Sequence, residues 1–531
     1  MLPVDMCFTF AGGCSLDYLQ NKNANRNLVI CRLLNSILTW SESIMRYLKY
    51  AVFGLLWTTG MVVAQPTTYI LDPVVLPESA TKSSPLVPVP LGTRVQTHFV
   101  VLPELEMQQS LAAEETSGPA LQIGAARAVD ATASVAQTQL AMQWTALPSG
   151  QQVAAINIQA TGAYGLRAGV LVERLPDDAL LRIYSQEHPD AIVERSGAQI
   201  NAVLAQNQGA GESGAPASTW WTPDVGAGDT TVEVVLPAGM PAEALRISIP
   251  LVSHIFYNLS LPPDVEAATV EAAAVGAADM DLAGTTQANP LESCRMDVSC
   301  TSNYQSERNA VAQMVYTREN GQSYLCTGTL LNNPKADFVP YFLTANHCIS
   351  TQSVASTLQT RWFYHASSCN SGVPSAQSAR RSAGATLLHA TATTDSALLR
   401  LNDMPPAGVS YAGWDASNLA PKGQAIYGLH HPGGDLLKYS VGAVANHARC
   451  QSTGSSTFSC SGGDANGGFY SVSWSQGRTE GGSSGSALFS DGRVIGTLYG
   501  GSSRCQAPRG LSYYGRFDKF FADGASHWLG N

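Results

Sequence analysis

Short alternations of apolar and polar residues recur along this chain. They are clearest in Gly169-Val-Leu-Val-Glu-Arg-Leu175, Thr230-Thr-Val-Glu-Val-Val-Leu236 and Leu245-Arg-Ile-Ser-Ile-Pro-Leu251. A period near two belongs to a strand with one covered face, so these segments are expected to be half-buried strands. From about Val265 to Gln287 the pattern fades. That stretch is Ala-rich, carries no Lys or Arg, and reads as a linker. Beyond it the chain is dense in Gly, Ser and Cys, with many short strand-like runs. Neither half shows a period of repeat length. The pattern predicts an all-β protein in two parts, 65–288 and 289–531.

Composition narrows the class. Charged residues are only 13% of the chain, against about 25% in ordinary globular proteins, which argues against a coiled coil or a charge-driven disordered chain. Gly 48 and Pro 28 imply many turns. A net charge of -10 offers no electrostatic basis for binding nucleic acid. No apolar run reaches the roughly 18 residues of a membrane-spanning helix.

The start of the chain carries a targeting pattern. Arg46 and Lys49 precede the apolar run Ala51-Val-Phe-Gly-Leu-Leu-Trp-Thr-Thr-Gly-Met-Val-Val63, and Ala64-Gln65-Pro66 follows. A basic region, a short apolar core and small residues are the parts of a secretory signal peptide. Residues 45–64 are read as that signal, and 1–44 as an upstream extension outside the working protein. Of the 11 Cys, Cys7, Cys14 and Cys31 precede Met45; the remainder is even in number and falls entirely after residue 293. An even set suits a secreted disulfide framework.

Three local features carry candidate chemistry. In Tyr341-Phe-Leu-Thr-Ala-Asn-His347-Cys348 an apolar strand ends in a turn presenting a His, and Cys326 lies in an earlier strand from which a bridge could pin that turn. In Thr394-Asp395-Ser-Ala-Leu-Leu-Arg-Leu401 an Asp opens a strand. In Glu480-Gly-Gly-Ser-Ser484-Gly-Ser-Ala-Leu488 a Ser sits in a Gly-rich turn whose backbone N–H groups can converge on one point. Each alone reads equally as turn chemistry. Together, in the order His, Asp, Ser, they match the trypsin-like arrangement. A Ser hydroxyl needs a base to take its proton, and the base needs a carboxylate to fix its tautomer.

On these motifs, with Cys294-Arg-Met-Asp-Val-Ser-Cys300, His430-His431-Pro432 and Tyr514-Gly-Arg516, residues from about 294 to 531 resemble the secreted bacterial trypsin-like serine endopeptidases of the lysyl endopeptidase type. The resemblance implies two six-stranded antiparallel β-barrels with the site between them, and a pre-pro-enzyme in which 65–288 is a β-rich pro-region that assists folding and inhibits. It implies His347 as general base, Asp395 as its orienter, Ser484 as nucleophile, and the N–H groups of Gly482 and Ser484 as the oxyanion hole. It pairs Cys294 with Cys505, Cys300 with Cys369 and Cys326 with Cys348, leaving Cys450 and Cys460 as a plausible extra bridge. No cofactor or metal is implied. The partners are protein or peptide substrates and the chain's own pro-region, with a monomer expected.

The match departs at the specificity pocket, expected around Arg478, Thr479, Tyr499, Gly500 and Ser512. The family's lysine-binding Asp falls at Ser512, and the pocket-floor Asp of vertebrate trypsins falls at Arg478. A lysine side chain buried without a counter-charge is strongly disfavoured. No Lys or Arg stands between Arg246 and Arg295, near the expected junction. The expectation is an uncharged, apolar or aromatic residue before the cut. Rivals are acidic specificity through Arg478, lysyl specificity, a non-catalytic binding protein on the same barrels, and a secreted adhesin. The His430-His431 pair lacks a suitably spaced third metal ligand, and Asp464-Ala-Asn466-Gly467 reads as a polar turn.

Overall fold

The computed structural model describes residues 68–77, 95–105, 120–259, 294–417, 419–454, 457–505 and 507–530. The expected upstream extension, the signal segment and the Ala-rich linker lie outside the described residues.

Strand Asp229–Leu236 is the middle of a sheet in the first half, between Gln152–Ala160 and Leu180–Tyr184. All 8 of its residues are buried, so the half-buried strand expected there is corrected. Both faces are covered, because the polar side chains find partners inside. Glu233 accepts from Arg182 Nη1 at 2.8 Å and from the Tyr184 hydroxyl at 2.9 Å. Asp229 accepts from Gln186 N at 2.8 Å. Buried polar groups are tolerated when they are hydrogen-bonded. The helix Gly197–Gly209 starts at a reciprocal capping box between Ser196 and Gln199 and buries Ile200 and Leu204 in the core of this half.

The second half holds two barrels. In one, Arg493–Gly501, Ala487–Ser490, Ala425–His430, Lys438–Ser452, Phe469–Gln476 and Ser512–Arg516 pair in that order, and the last returns to the first to close the ring. In the other, Val311–Thr317, Ser323–Leu331, Tyr341–Thr344, Ser396–Leu401 and Ala385–Thr391 follow one another, while Gln359–Trp362 joins Val311–Thr317 from the other side. Among the described residues this ring stays open, with Gln359–Trp362 paired to Ala379–Arg381. Phe342, Trp362, Trp414, Phe489 and Phe517 fill the core shared by these elements.

One sheet runs through both halves. Leu121–Ala128 pairs with Arg246–Ile255 on one side and with Ser323–Leu331 on the other, setting Leu121 opposite Leu325 and Gln122 opposite Tyr324. Ile123, Ile255, Val315 and Leu325 make the apolar seam. Arg167, wholly buried, crosses the seam: its Nη1 donates to Thr317 Oγ1 at 2.8 Å, its Nη2 to Thr357 O at 2.6 Å, and its Nε to Thr222 O at 2.9 Å. Burial pulls its pKa down to about 10, against the attraction of Asp224.

Candidate active site

His347 follows strand Tyr341–Thr344, and the neighbouring Cys348 is bridged to Cys326 on strand Ser323–Leu331. The bridge fixes the turn to the barrel wall. Asp395 stands one residue before strand Ser396–Leu401 with φ +47, a backbone state that Asp tolerates better than most residues. This turn aims its carboxylate at His347. Oδ2 lies 2.6 Å from Nδ1 of the ring, and Oδ1 accepts the His347 backbone N–H at 2.9 Å. The Asp395 carbonyl accepts Asn346 N at 3.1 Å. Burial holds the Asp395 carboxyl above its ordinary range, against the weaker opposing pull of the charge and hydrogen bonds of His347.

Ser484 lies in the turn before strand Ala487–Ser490. Gly482 at φ +90 and Gly485 at φ +82 make that turn possible. The loop is stitched to the other barrel: Thr327 N donates to Ser484 O at 2.8 Å, and Thr327 Oγ1 donates to Gly482 O at 2.9 Å. Thr327 follows Cys326, so the same strand anchors both the histidine turn and the serine turn. Among the described residues the Gly482 N–H donates to no acceptor. Against this turn lies the first half: Leu121 Cδ1 is 3.5 Å from where a Gly481 Cβ would stand.

Ser483 hydrogen-bonds to His430 Nδ1 at 2.9 Å, and the other ring nitrogen lies 2.9 Å from Ser440 Oγ. His431 Nδ1 donates to Asp435 O at 2.8 Å. Burial drives both imidazoles down to about 3, so they serve as neutral struts behind the turn. Cys326, His347 and Cys348 cluster closely enough to hold an ion, but the two sulfurs are joined to each other and offer no thiolate. The other bridges join Cys294 to Cys505, Cys300 to Cys369 and Cys450 to Cys460.

The expected pocket residues come together in part. Ser512 is wholly buried, and its hydroxyl meets Trp474 Nε1 at 2.9 Å and Thr479 Oγ1 at 2.8 Å. Tyr499 stacks on Phe458 at 4.1 Å and stands 5.9 Å from the His347 ring. Burial and the Asp395 charge push its phenol up to about 12. Gly500 pairs with Tyr513 on the strand carrying Ser512. Arg478 is half-buried, its Nη1 donating to the Gly477 carbonyl and its Nε buried without an acceptor among the described residues. Asp464 closes a polar turn with Asn466 and pairs with Arg449 at 2.8 Å.

Glu480 ties the serine loop to the start of the second half. It accepts from Arg295 Nη2 at 2.6 Å and from Cys505 N at 3.3 Å, while Arg295 also faces Asp435 at 3.8 Å. The beginning of the second half is thus tied to the serine loop by an ion pair and by the adjacent Cys294–Cys505 bridge. The sequence gives no local signal for this, since Arg295 and Glu480 are separated by 185 positions. The aromatic neighbours Trp474 and Phe458 and the seam residue Leu121 are likewise visible only in three dimensions.

Comparison with known proteins fits this architecture. The lysyl endopeptidase C-terminal domain model matches residues 289–515, and the lysyl endopeptidase N-terminal domain model matches 101–256. A lysyl endopeptidase of Pseudomonas aeruginosa is 34% identical over 423 residues, covering 77% of this chain and 81% of that protein. A secreted RxLR effector protein of Plasmopara viticola is 32% identical over 144 residues, 26% of this chain and 34% of that protein. Among solved structures, a protease from M. tuberculosis in its active form aligns with TM-score 0.30 and 15% identity, over 45% of this chain and 89% of that one. With both halves matched and a third of the positions shared along most of its length with the Pseudomonas protein, the chain belongs to the lysyl endopeptidase family and is a serine endopeptidase.

Proposed function

We propose that this chain is the precursor of a secreted endopeptidase in which His347, Asp395 and Ser484 form the catalytic triad. The observation that carries the reading is the 2.6 Å contact between His347 Nδ1 and Asp395 Oδ2, with Ser484 held on the strand that pins the histidine turn. Asp395 fixes the tautomer that leaves Nε2 to accept the Ser484 proton. Ser484 Oγ then attacks the peptide carbonyl, and the developing oxyanion sits on the N–H groups of Gly482 and Ser484. His347 returns the proton to the leaving amine, and water releases the acyl group by the reverse path. Secretion is supported by the signal-like segment at 45–64 and by the four bridges, which persist in oxidising compartments.

The first half acts as an inhibitory pro-region. Leu121–Ala128 lies along Ser323–Leu331 as an added strand, with Leu121 against the Gly481 turn. An extended substrate and this strand cannot share that edge.

The pocket prefers an uncharged side chain. The Pseudomonas relative is named for lysine, but here Ser512 is wholly buried between Trp474 and Thr479, and Tyr499 and Phe458 add aromatic surface. The nearby Glu480 carboxylate is engaged by Arg295. A second reading rests on Arg478, whose unpartnered Nε favours an acidic residue before the cut. The test is digestion of a proteome-derived peptide library by the exported chain, with its own new N-terminus sequenced alongside. Cuts after Leu, Phe, Tyr or Met that vanish in Ser484→Ala support the first reading. Cuts after Asp or Glu that vanish in Arg478→Ala support the second. Cuts after Lys overturn both, and cuts that persist in Ser484→Ala overturn the triad.

A further inference from the structure

Residues 68–77 belong to neither matched region, since the family models cover 101–256 and 289–515. Their place in the fold is unexpected for the beginning of a pro-region. Every hydrogen bond they make among the described residues goes to the second half. Ile70–Leu71 pairs with Asp415 and Trp414, and Val74–Val75 pairs with Tyr411 and Ser410. Thr68 N donates to Gly530 O at 3.0 Å, Leu76 N to Val409 O at 2.9 Å, and Ala416 N to Tyr69 O at 2.8 Å. Asn332 Nδ2 donates to Asp72 O at 2.9 Å, and Arg493 meets the Asp72 carboxylate at 2.5 Å. Leu76, 1% exposed, lies in the same core as Trp414, Phe517 and Phe521. Leu71 and Val74 pack against that core, and the Tyr69 ring stands 5.5 Å from Phe521.

The receiving surface is shaped for this segment. A Cβ on Gly413 would lie 2.3 Å from Leu71 O and 2.8 Å from Asp72 C and Pro73 N. All three nearest atoms are the arm's own. Gly413 sits in an ordinary strand, where a side chain would otherwise be favoured over glycine. The glycine makes sense as clearance for the crossing chain.

We propose that residues 68–77 are an arm of the catalytic domain and stay bound to it, non-covalently, after the rest of the first half is cut away. The surface formed by strands 410–411 and 413–415, with Arg493 at its rim, takes an extended apolar peptide with one acidic residue. A strand added to an exposed sheet edge gains main-chain hydrogen bonds and alternate side-chain pockets at once. Leu71, Val74 and Leu76 fill the pockets here, and Asp72 meets the cation. The processed enzyme is then a two-chain particle. This rests on the precursor reading above for the cut itself, but not for the docking.

The test uses the full chain carrying Ser484→Ala, with recognition sites for an unrelated site-specific protease inserted in 78–94 and in 260–293. The cut protein is passed through gel filtration at neutral pH, and each peak is weighed under denaturing conditions. The expected result is the short peptide containing 68–77 in the peak of the 294–530 fragment, and its loss from that peak in Gly413→Leu and in Leu76→Asp. Elution of the peptide at its own small size overturns the proposal, as does its retention in both variants. In the uncut chain, where no substitution can disturb folding, the amides of Thr68 and Leu76 should exchange as slowly as those of Ala412 and Ala416; exchange at the rate of a free peptide overturns it equally. Because the cuts come from outside, failure of the chain to process itself would defeat the precursor reading and leave this result standing.

Discussion

Adding one methyl group at Gly482 should damage catalysis far more than adding the same group at Gly481. Gly482 holds φ +90, and its Cβ would stand 2.7 Å from His431 O and 2.9 Å from Leu325 Cδ2. The left-handed conformation alone costs an L-residue about 1–2 kcal/mol. His431 is buried beneath the turn, so neither neighbour has room to retreat. The peptide unit before Gly482 must rotate to relieve the contact, and its N–H leaves the point where an oxyanion would form. Losing one such donor costs about 10²–10³ in kcat, roughly 3–4 kcal/mol of transition-state stabilisation. At Gly481 the nearest atoms to a Cβ are Leu121 Cδ1 at 3.5 Å and Leu121 Cβ at 3.6 Å, ordinary contacts. Gly481→Ala should keep kcat within a few-fold. Steady-state hydrolysis of a peptide ester by each processed variant, with thermal unfolding to confirm the fold, separates the two. A Gly482→Ala enzyme within fivefold of the parent in kcat, or equal damage at both positions, would refute the assigned oxyanion donor.

Three further outcomes follow from the geometry. Asp395→Asn should lower kcat by about 10⁴ with little change in KM, because the amide holds the wrong imidazole tautomer; a loss under tenfold in steady-state assays would remove Asp395 from the triad. Arg167→Met leaves Thr357 O, its partner carbonyl in the second half, without that donor, a penalty of about 1–3 kcal/mol. The first half should then be released from the second at least about fivefold more readily, as read by dissociation of the chain cut between the halves. Finally, His430 and His431 have folded values near 3 against an ordinary 6.5. The unfolded chain therefore binds more protons across that interval, so the stability they support is complete above about pH 6.5 and falls as pH drops toward 3. Thermal midpoints measured from pH 7 to 4 should fall steeply and flatten in His430→Asn; an unchanged slope would show that this imidazole is not held neutral.

The parts of the fold that the sequence made legible are those whose cause is local. Alternation located the strands at 165–174, 229–236 and 246–255, because a strand's period survives in any window of the chain. Their burial was misjudged at 229–236, since whether the second face is covered depends on Arg182, Tyr184 and Asn157, far away in sequence. The helix at 197–209 went unread: its apolar residues do not gather into one stripe, and its buried side mixes Ile200 and Leu204 with Gly197 and Asn207. At the site, His347, Asp395 and Ser484 each lie in a recognisable strand–turn context; the structure joins His347 to Asp395 at 2.6 Å and ties the Ser484 turn to the strand of Cys326 through Thr327, and the triad as a whole stays the proposal made above. The Arg295–Glu480 pair and the arm at 68–77 could not be read this way. Each is a pairing between segments far apart in the chain, 185 positions for Arg295 and Glu480, and two-residue strands such as Ile70–Leu71 leave no period to detect.

The strand at 121–128 has a consequence for the molecule as a solute. An uncovered sheet edge is a template on which other chains can pair, and proteins protect such edges with charge, bulges or a covering element. Residues Ser323–Leu325 form such an edge, with only Ser323, Tyr324 and Leu325 along it and no charge to repel a neighbour. In this structure Leu121–Ala128 covers it. Were that cover removed, as the proposed processing requires, a short border would open, and the freed protein should become more prone to self-association as its concentration rises. On the proposed precursor reading, the first half would then also be a packaging device that keeps this border closed until it is cut away.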